Sequence, residues 1–133
     1  LDKPLIGQDL DWSNKVFLIA EDSILNYTFL EALLQRTRVE LIWAKNGKEA
    51  VEICLENPNI DLVLMDIKMP LLDGLEAIAQ IKQAREDLPR IVQTAYAMAE
   101  DRGKSIEAGA NDHLTKPLNP EKLFGAIKRI FPS

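Results

Sequence analysis

Between Val16 and Phe131 a short apolar run is followed, five times over, by a segment of helical periodicity. That alternation constrains the fold more than any other feature, because parallel strands need long crossovers and each helical segment supplies one. Val16–Ala20 and Leu62–Met65 are continuous apolar runs, as strands buried on both faces should be. Val39–Ala44 alternates weakly and reads as the second strand, with Arg90–Thr94 and Asp112–Thr115 as the fourth and fifth. Ser23 caps the first helix, in which Leu25, Phe29, Leu30, Leu33 and Leu34 keep helical spacing. Asn46 caps the second, with Ala50, Val51, Cys54 and Leu55 on one face, ending near Asn57-Pro58. Leu75, Ile78 and Ile81 mark a third helix that closes before Pro89, and Glu100–Ala108 a weaker fourth that stops at Gly109. Asn119 and Pro120 open the last, which carries Leu123, Phe124, Ile127, Ile130 and Phe131 on one face. The expected fold is a single doubly wound α/β domain, a flavodoxin-like (βα)5 unit with a parallel sheet in the order 2-1-3-4-5.

At 133 residues there is room for one such domain. A net charge of −5 disfavours a nucleic-acid partner, since phosphate contacts need a basic face. The single cysteine, Cys54, excludes an internal disulfide and fits a reducing, cytoplasmic setting. No apolar run approaches the roughly 18 residues of a membrane span, so no direct membrane contact is expected. Residues 1–15 read as a linker or arm, with Pro4, Gly7 and several polar positions; its solitary Trp12 is of a kind that often docks against something. A chain that opens on Leu1 reads as a fragment of a longer protein, with a processed or engineered terminus as the alternative.

In a doubly wound sheet the ligand site lies beyond the carboxyl ends of the strands, at the switch between strands 1 and 3. The residues there are Glu21 and Asp22 after strand 1 and Asp66 after strand 3, flanked by Thr94 at the end of strand 4 and Lys116 after strand 5. Close carboxylates repel, and so call for a cation or a raised pKa. Hard oxygen donors in small number suit Mg²⁺. A carboxylate, a divalent metal, a hydroxyl and a lysine are together the parts of a phosphoryl site.

The pieces Glu21-Asp22, Met65-Asp66-Ile67-Lys68-Met69-Pro70 with Asp73-Gly74, Thr94-Ala95 and Lys116-Pro117 resemble the receiver domain of two-component response regulators, over residues 16–131. Thr94–Arg102, Ala108–Leu118 and Asn26 are similar to the receivers of hybrid sensor histidine kinases. The resemblance implies that Asp66 accepts a phosphoryl group from the phosphohistidine of a histidine kinase or histidine phosphotransfer domain. It implies Mg²⁺ held by Asp22, Asp66 and the backbone carbonyl of Lys68, with Glu21 reaching it through water. Lys116 would contact the phosphoryl group, Thr94 would reorient toward it, and His113 would be the switch residue on the face of helix 4, strand 5 and helix 5. Such a receiver catalyses its own phosphorylation and dephosphorylation, and a hybrid sensor kinase is the expected parent. Phosphorylation-dependent dimerisation stays open. A cis bond at Lys116-Pro117 is expected on the same analogy.

Each piece also has a plainer reading. Asp22 alone reads as a helix cap, Thr94 as an ordinary strand residue, His113 as core or edge packing and Lys116 as a lysine at a turn. Cys54 and Trp43 read as packing only. Lys68 and Tyr96 stand two residues beyond Asp66 and Thr94, where in the family they influence water access to the acyl phosphate; otherwise they are two exposed side chains. A haloacid-dehalogenase-type phosphatase wants a second acid at the position of Lys68. A flavin mononucleotide carrier wants a hydroxyl-rich loop where Glu21-Asp22 would repel phosphate. A degenerate receiver that acts only through protein contacts is the remaining alternative.

Overall fold

In the computed structural model, which describes residues 6–67, 73–94 and 99–132 (backbone alone at 99–102), the run Val16–Ala20 forms β1 inside a parallel sheet. β2 (Glu40–Ala44), β3 (Leu62–Asp66), β4 (Arg90–Thr94) and β5 (Asp112–Thr115) complete it in the order β2-β1-β3-β4-β5. This is the expected doubly wound order. The crossovers are α1 (Ile24–Leu34), α2 (Gly47–Glu56), α3 (Gly74–Ala84) and α4 (Ala99–Ala108), with α5 (Pro120–Ile130) closing the chain.

Strand alternation divides the core into two layers. Phe17, Ile19, Leu62, Leu64 and Ile91 face α1 and α5, where Leu30, Leu34, Leu123, Phe124 and Ile127 meet them. Leu18, Ala20, Val63, Met65 and Val92 face the other way, onto Ala50, Cys54, Ala77, Ile78 and Ile81. Each fully buried aliphatic or aromatic side chain contributes about 1.5–3 kcal/mol, so both layers hold the sheet against its helices.

Helix starts follow the capping residues. Ser23 Oγ accepts from the Asn26 amide, Asn46 Oδ1 from Glu49 and Asn119 Oδ1 from Glu121 and Lys122. Gly109 ends α4 at φ 117°, a left-handed conformation that side chains rarely adopt.

The structure departs from the sequence pattern in a few places. β2 begins at Glu40 rather than Val39, because Arg38 turns the chain through φ 66° just before it. In α1, Leu25 and Phe29 are 79% and 39% exposed, and Tyr27 takes the buried place beside Leu30, Leu33 and Leu34. Helical spacing allows two apolar stripes on this helix, and the stacking of Tyr27 on Trp43, 4.2 Å between centroids, decides which faces in. Leu55 is likewise exposed. Phe131 follows α5 as its cap and still stacks on Phe17.

Residues 6–14 lie against the α1–α5 layer. Trp12 is 1% exposed, with its ring 5.5 Å from Phe17 and 6.1 Å from Phe124. Its amide donates to Thr37 O, Arg36 Nη1 to Ile6 O, and Arg38 Nη2 to Leu10 O. No helix among the described residues is long and apolar enough to cross a membrane.

Candidate functional site

Sheet hydrogen bonding runs one residue past several strand ends, and this fixes where the polar side chains start. Glu21 N donates to Ala44 O at 3.0 Å, Ile67 N to Gln93 O at 3.0 Å, and Lys116 N to Thr94 O at 2.7 Å. The residues that follow β1, end β3 and follow β5 are thereby held at one end of the sheet.

Glu21, Asp22 and Asp66 converge there, each with a carboxylate oxygen within 4.8 Å of the others. Glu21 is fully buried, Asp66 is buried and Asp22 is exposed. Lys116 Nζ donates to Asp66 Oδ2 at 2.9 Å and stands 3.5 Å from Glu21 Oε1. Glu21 Oε2 accepts from the Ser23 amide at 3.1 Å, whereas Oε1, 3.5 Å from Lys116 Nζ, has no hydrogen-bond partner among the described residues.

The electrostatics follow from this crowding. Burial, opposed by the Ser23 amide and assisted by the charge of Asp66, pushes the Glu21 carboxyl up to about 7. Burial alone would lower the Lys116 ammonium, but its contacts with Asp66 and Glu21 outweigh that and hold it above its ordinary value. The cluster thus holds more acid than one lysine neutralises. Such a set of hard oxygen donors fits a small divalent cation such as Mg²⁺.

Thr94, 4% exposed, ends β4 next to Gln93, which is in register with Asp66. His113 lies on β5 in register with Val92, away from the carboxylates. Lys116-Pro117 is cis, as expected. Lys68 and Tyr96 lie outside the described residues. Cys54 is buried, and burial pushes its thiol up to about 11, so it is inert packing.

Two positioning residues escaped the sequence reading. Trp43, read there as packing only, also donates from Nε1 to Glu21 O at 2.7 Å and so holds the backbone of the acidic pair. Gly74 donates its amide to Ile67 O at 2.7 Å, and a Cβ at this position would collide with the Asp66 carbonyl oxygen. Asp73 accepts from the Glu76 amide and starts α3 at that point. The Asp-Gly pair was visible as a motif; its contact with the Asp66 backbone was not.

A profile of the response regulator receiver domain matches residues 17–128. The chain belongs to the response regulator receiver family. This receiver domain is 38% identical over 118 residues to hybrid signal transduction histidine kinase I of Dictyostelium discoideum, a match that covers 83% of the chain and 7% of the kinase. The receiver of the response regulator Ssk1 of Saccharomyces cerevisiae, solved with the histidine phosphotransfer protein Ypd1, is 31% identical. Its TM-score is 0.81, with 86% of this chain and 87% of that one covered. The receiver of sensor histidine kinase PA1611 of Pseudomonas aeruginosa, solved with a magnesium ion in its active site cleft, is also 31% identical. Its TM-score is 0.81 over 90% of this receiver domain and 99% of that chain.

Proposed function

We propose that Asp66 of this receiver domain accepts a phosphoryl group from the phosphohistidine of a histidine kinase or histidine phosphotransfer domain. The observation that carries the reading is the 2.9 Å contact of Lys116 Nζ with Asp66 Oδ2, inside a cluster completed by Glu21 and Asp22. An Asp66 carboxylate oxygen forms the new P–O bond as the P–N bond to the donor imidazole breaks. The imidazole leaves with the electron pair and takes up a proton from water. Lys116, already aimed at Asp66, supplies positive charge to the incoming phosphoryl oxygens. Thr94 turns its hydroxyl toward one of those oxygens, and His113 reports the change on the face built by α4, β5 and α5.

Asp22, Asp66 and the Lys68 carbonyl would hold Mg²⁺, with Glu21 acting through water. When bound, the ion withdraws charge from the phosphoryl oxygens. Residues 16–131 form the receiver unit, residues 1–15 its arm, and a hybrid sensor kinase is the parent consistent with the similarity to the Dictyostelium discoideum kinase.

Intact-mass or Phos-tag measurement with acetyl phosphate and Mg²⁺ tests the reading. Wild type should gain one phosphoryl group and Asp66→Ala none. No adduct on wild type would leave the degenerate receiver, a module for protein contacts alone. A beryllofluoride adduct should shift the amide resonances of Thr94, His113 and α4 more than those of β2 and α2, and Thr94→Ala should shrink the distal shifts.

A further inference from the structure

β4 is buried along its whole length and carries a glutamine at its penultimate position. Gln93 is 0% exposed, and among the described residues neither its Nε2 nor its Oε1 has a hydrogen-bond partner. Alternation places its side chain in the α1–α5 layer, with Ile91. An apolar side chain would suit that layer better, because an unpaired buried amide loses its water without replacement. The amide is thus left without a protein partner among the described residues, on the wall of a cavity.

Gln93 lines a cavity of about 140 Å³ together with Asn26 and Phe29 of α1 and Lys116, Pro117 and Leu118 of the turn after β5. That is a small cavity, on the scale of one amino-acid side chain. It is well below the roughly 300–1,000 Å³ of pockets that take a whole small molecule.

Resting on the phosphotransfer reading above, we propose that this cavity receives one side chain of the phosphohistidine-bearing partner and that Gln93 selects a carboxamide tip, Asn or Gln. Position supports this occupant. Lys116 is at once a wall of the cavity and the 2.9 Å partner of Asp66, so a protein that brings its imidazole to Asp66 covers the cavity mouth. The neighbouring surface of α1 is apolar and open: Ile24 is 65% and Leu25 79% exposed, and Phe29 stands at the rim. Chemistry narrows the tip. A charged group would lose its hydration beside Phe29, Pro117 and Leu118, and an apolar one would leave the amide as it is now. A carboxamide both donates and accepts, which matches Nε2 and Oε1 together.

The test is phosphotransfer profiling of the full chain against each purified, phosphorylated histidine kinase and histidine phosphotransfer domain of the source genome, with acetyl phosphate as the small-molecule donor. In Gln93→Leu and Gln93→Met the ratio of kcat/KM for the preferred protein donor to the acetyl phosphate rate should fall about tenfold, as expected when one good hydrogen-bonded contact is lost. Thermal midpoints should not fall, which separates this loss from misfolding. Alanine replacement of a donor Asn or Gln near its histidine should reproduce the loss, and combining it with Gln93→Leu should add nothing further. An unchanged ratio in both Gln93 variants overturns the proposal, because the amide would then be a packing irregularity. A wild-type chain that takes no phosphoryl group from acetyl phosphate overturns the phosphotransfer reading itself, and this proposal with it.

Discussion

Trp43 Nε1 donates a 2.7 Å hydrogen bond to the carbonyl oxygen of Glu21, joining the end of β2 to the start of the acidic cluster. Tyr27 stacks on the same indole at 4.2 Å, so α1, β2 and the acidic turn are fastened through one ring system. The indole thus controls where the backbone of Glu21-Asp22 sits.

Trp43→Phe keeps most of the stacking and removes the donor. Stability in urea should fall by about 0.5–1.5 kcal/mol, the usual net value of one hydrogen bond. Mg²⁺ affinity, followed by titration, should weaken at the same time, whereas Ile42→Val on the same strand should leave affinity alone.

Gly74 sits where any Cβ would strike the Asp66 carbonyl oxygen. Gly74→Ala must push α3 away from the end of β3, at a cost of about 1–3 kcal/mol for an overpacked contact. Since the displaced atoms belong to Asp66, phosphorylation by acetyl phosphate should drop more than the stability loss alone would explain. A variant that reacts at the wild-type rate would show that α3 yields without moving the acceptor.

Mg²⁺ should raise the melting temperature, by the equivalent of about 2.7 kcal/mol at 100 times its dissociation constant. Asp22→Asn should remove most of that gain. The pH dependence is set by Glu21, whose carboxyl is raised from 4.5 to about 7. Its folded pKa lies above the unfolded one, so the stability linked to its proton is fully present below 4.5 and is lost as pH rises through about 7. The same proton opposes a cation, so Mg²⁺ affinity should climb as pH rises through about 7. Glu21→Gln should flatten both curves, as read by calorimetric titration across that range.

Trp12 joins the segment before β1 to Phe17 and Phe124, and its ring is buried although its Nε1 has no hydrogen-bond partner among the described residues. Trp12→Ala should therefore cost about 3–5 kcal/mol, as large aromatic truncations do. Trp12→Phe should cost much less, since no hydrogen bond is lost with the indole N–H. Equal losses in the two variants would mean that the ring's size, rather than its burial, holds the segment.

The strand and helix order and the cluster at the strand ends were legible in the chain itself. Alternating buried runs and capped helices are local patterns, and one topological rule turns them into a list of residues beyond the carboxyl ends of the strands. Glu21, Asp22, Asp66, Thr94 and Lys116 followed from that list alone. Their shared end of the sheet depends only on strand order and register. What only the tertiary structure decided are contacts between side chains distant in sequence. The inward stripe of α1 rests on Tyr27 meeting Trp43, since 3.6-residue spacing fits Leu25 and Phe29 equally well. The burial of Trp12 rests on a gap between β1 and α5 that no local pattern describes. Gly74 and Gln93 look ordinary in sequence. Their significance comes from the Asp66 carbonyl that one nearly touches and the cavity that the other lines, because sterics and unpaired polarity arise only where separate segments meet.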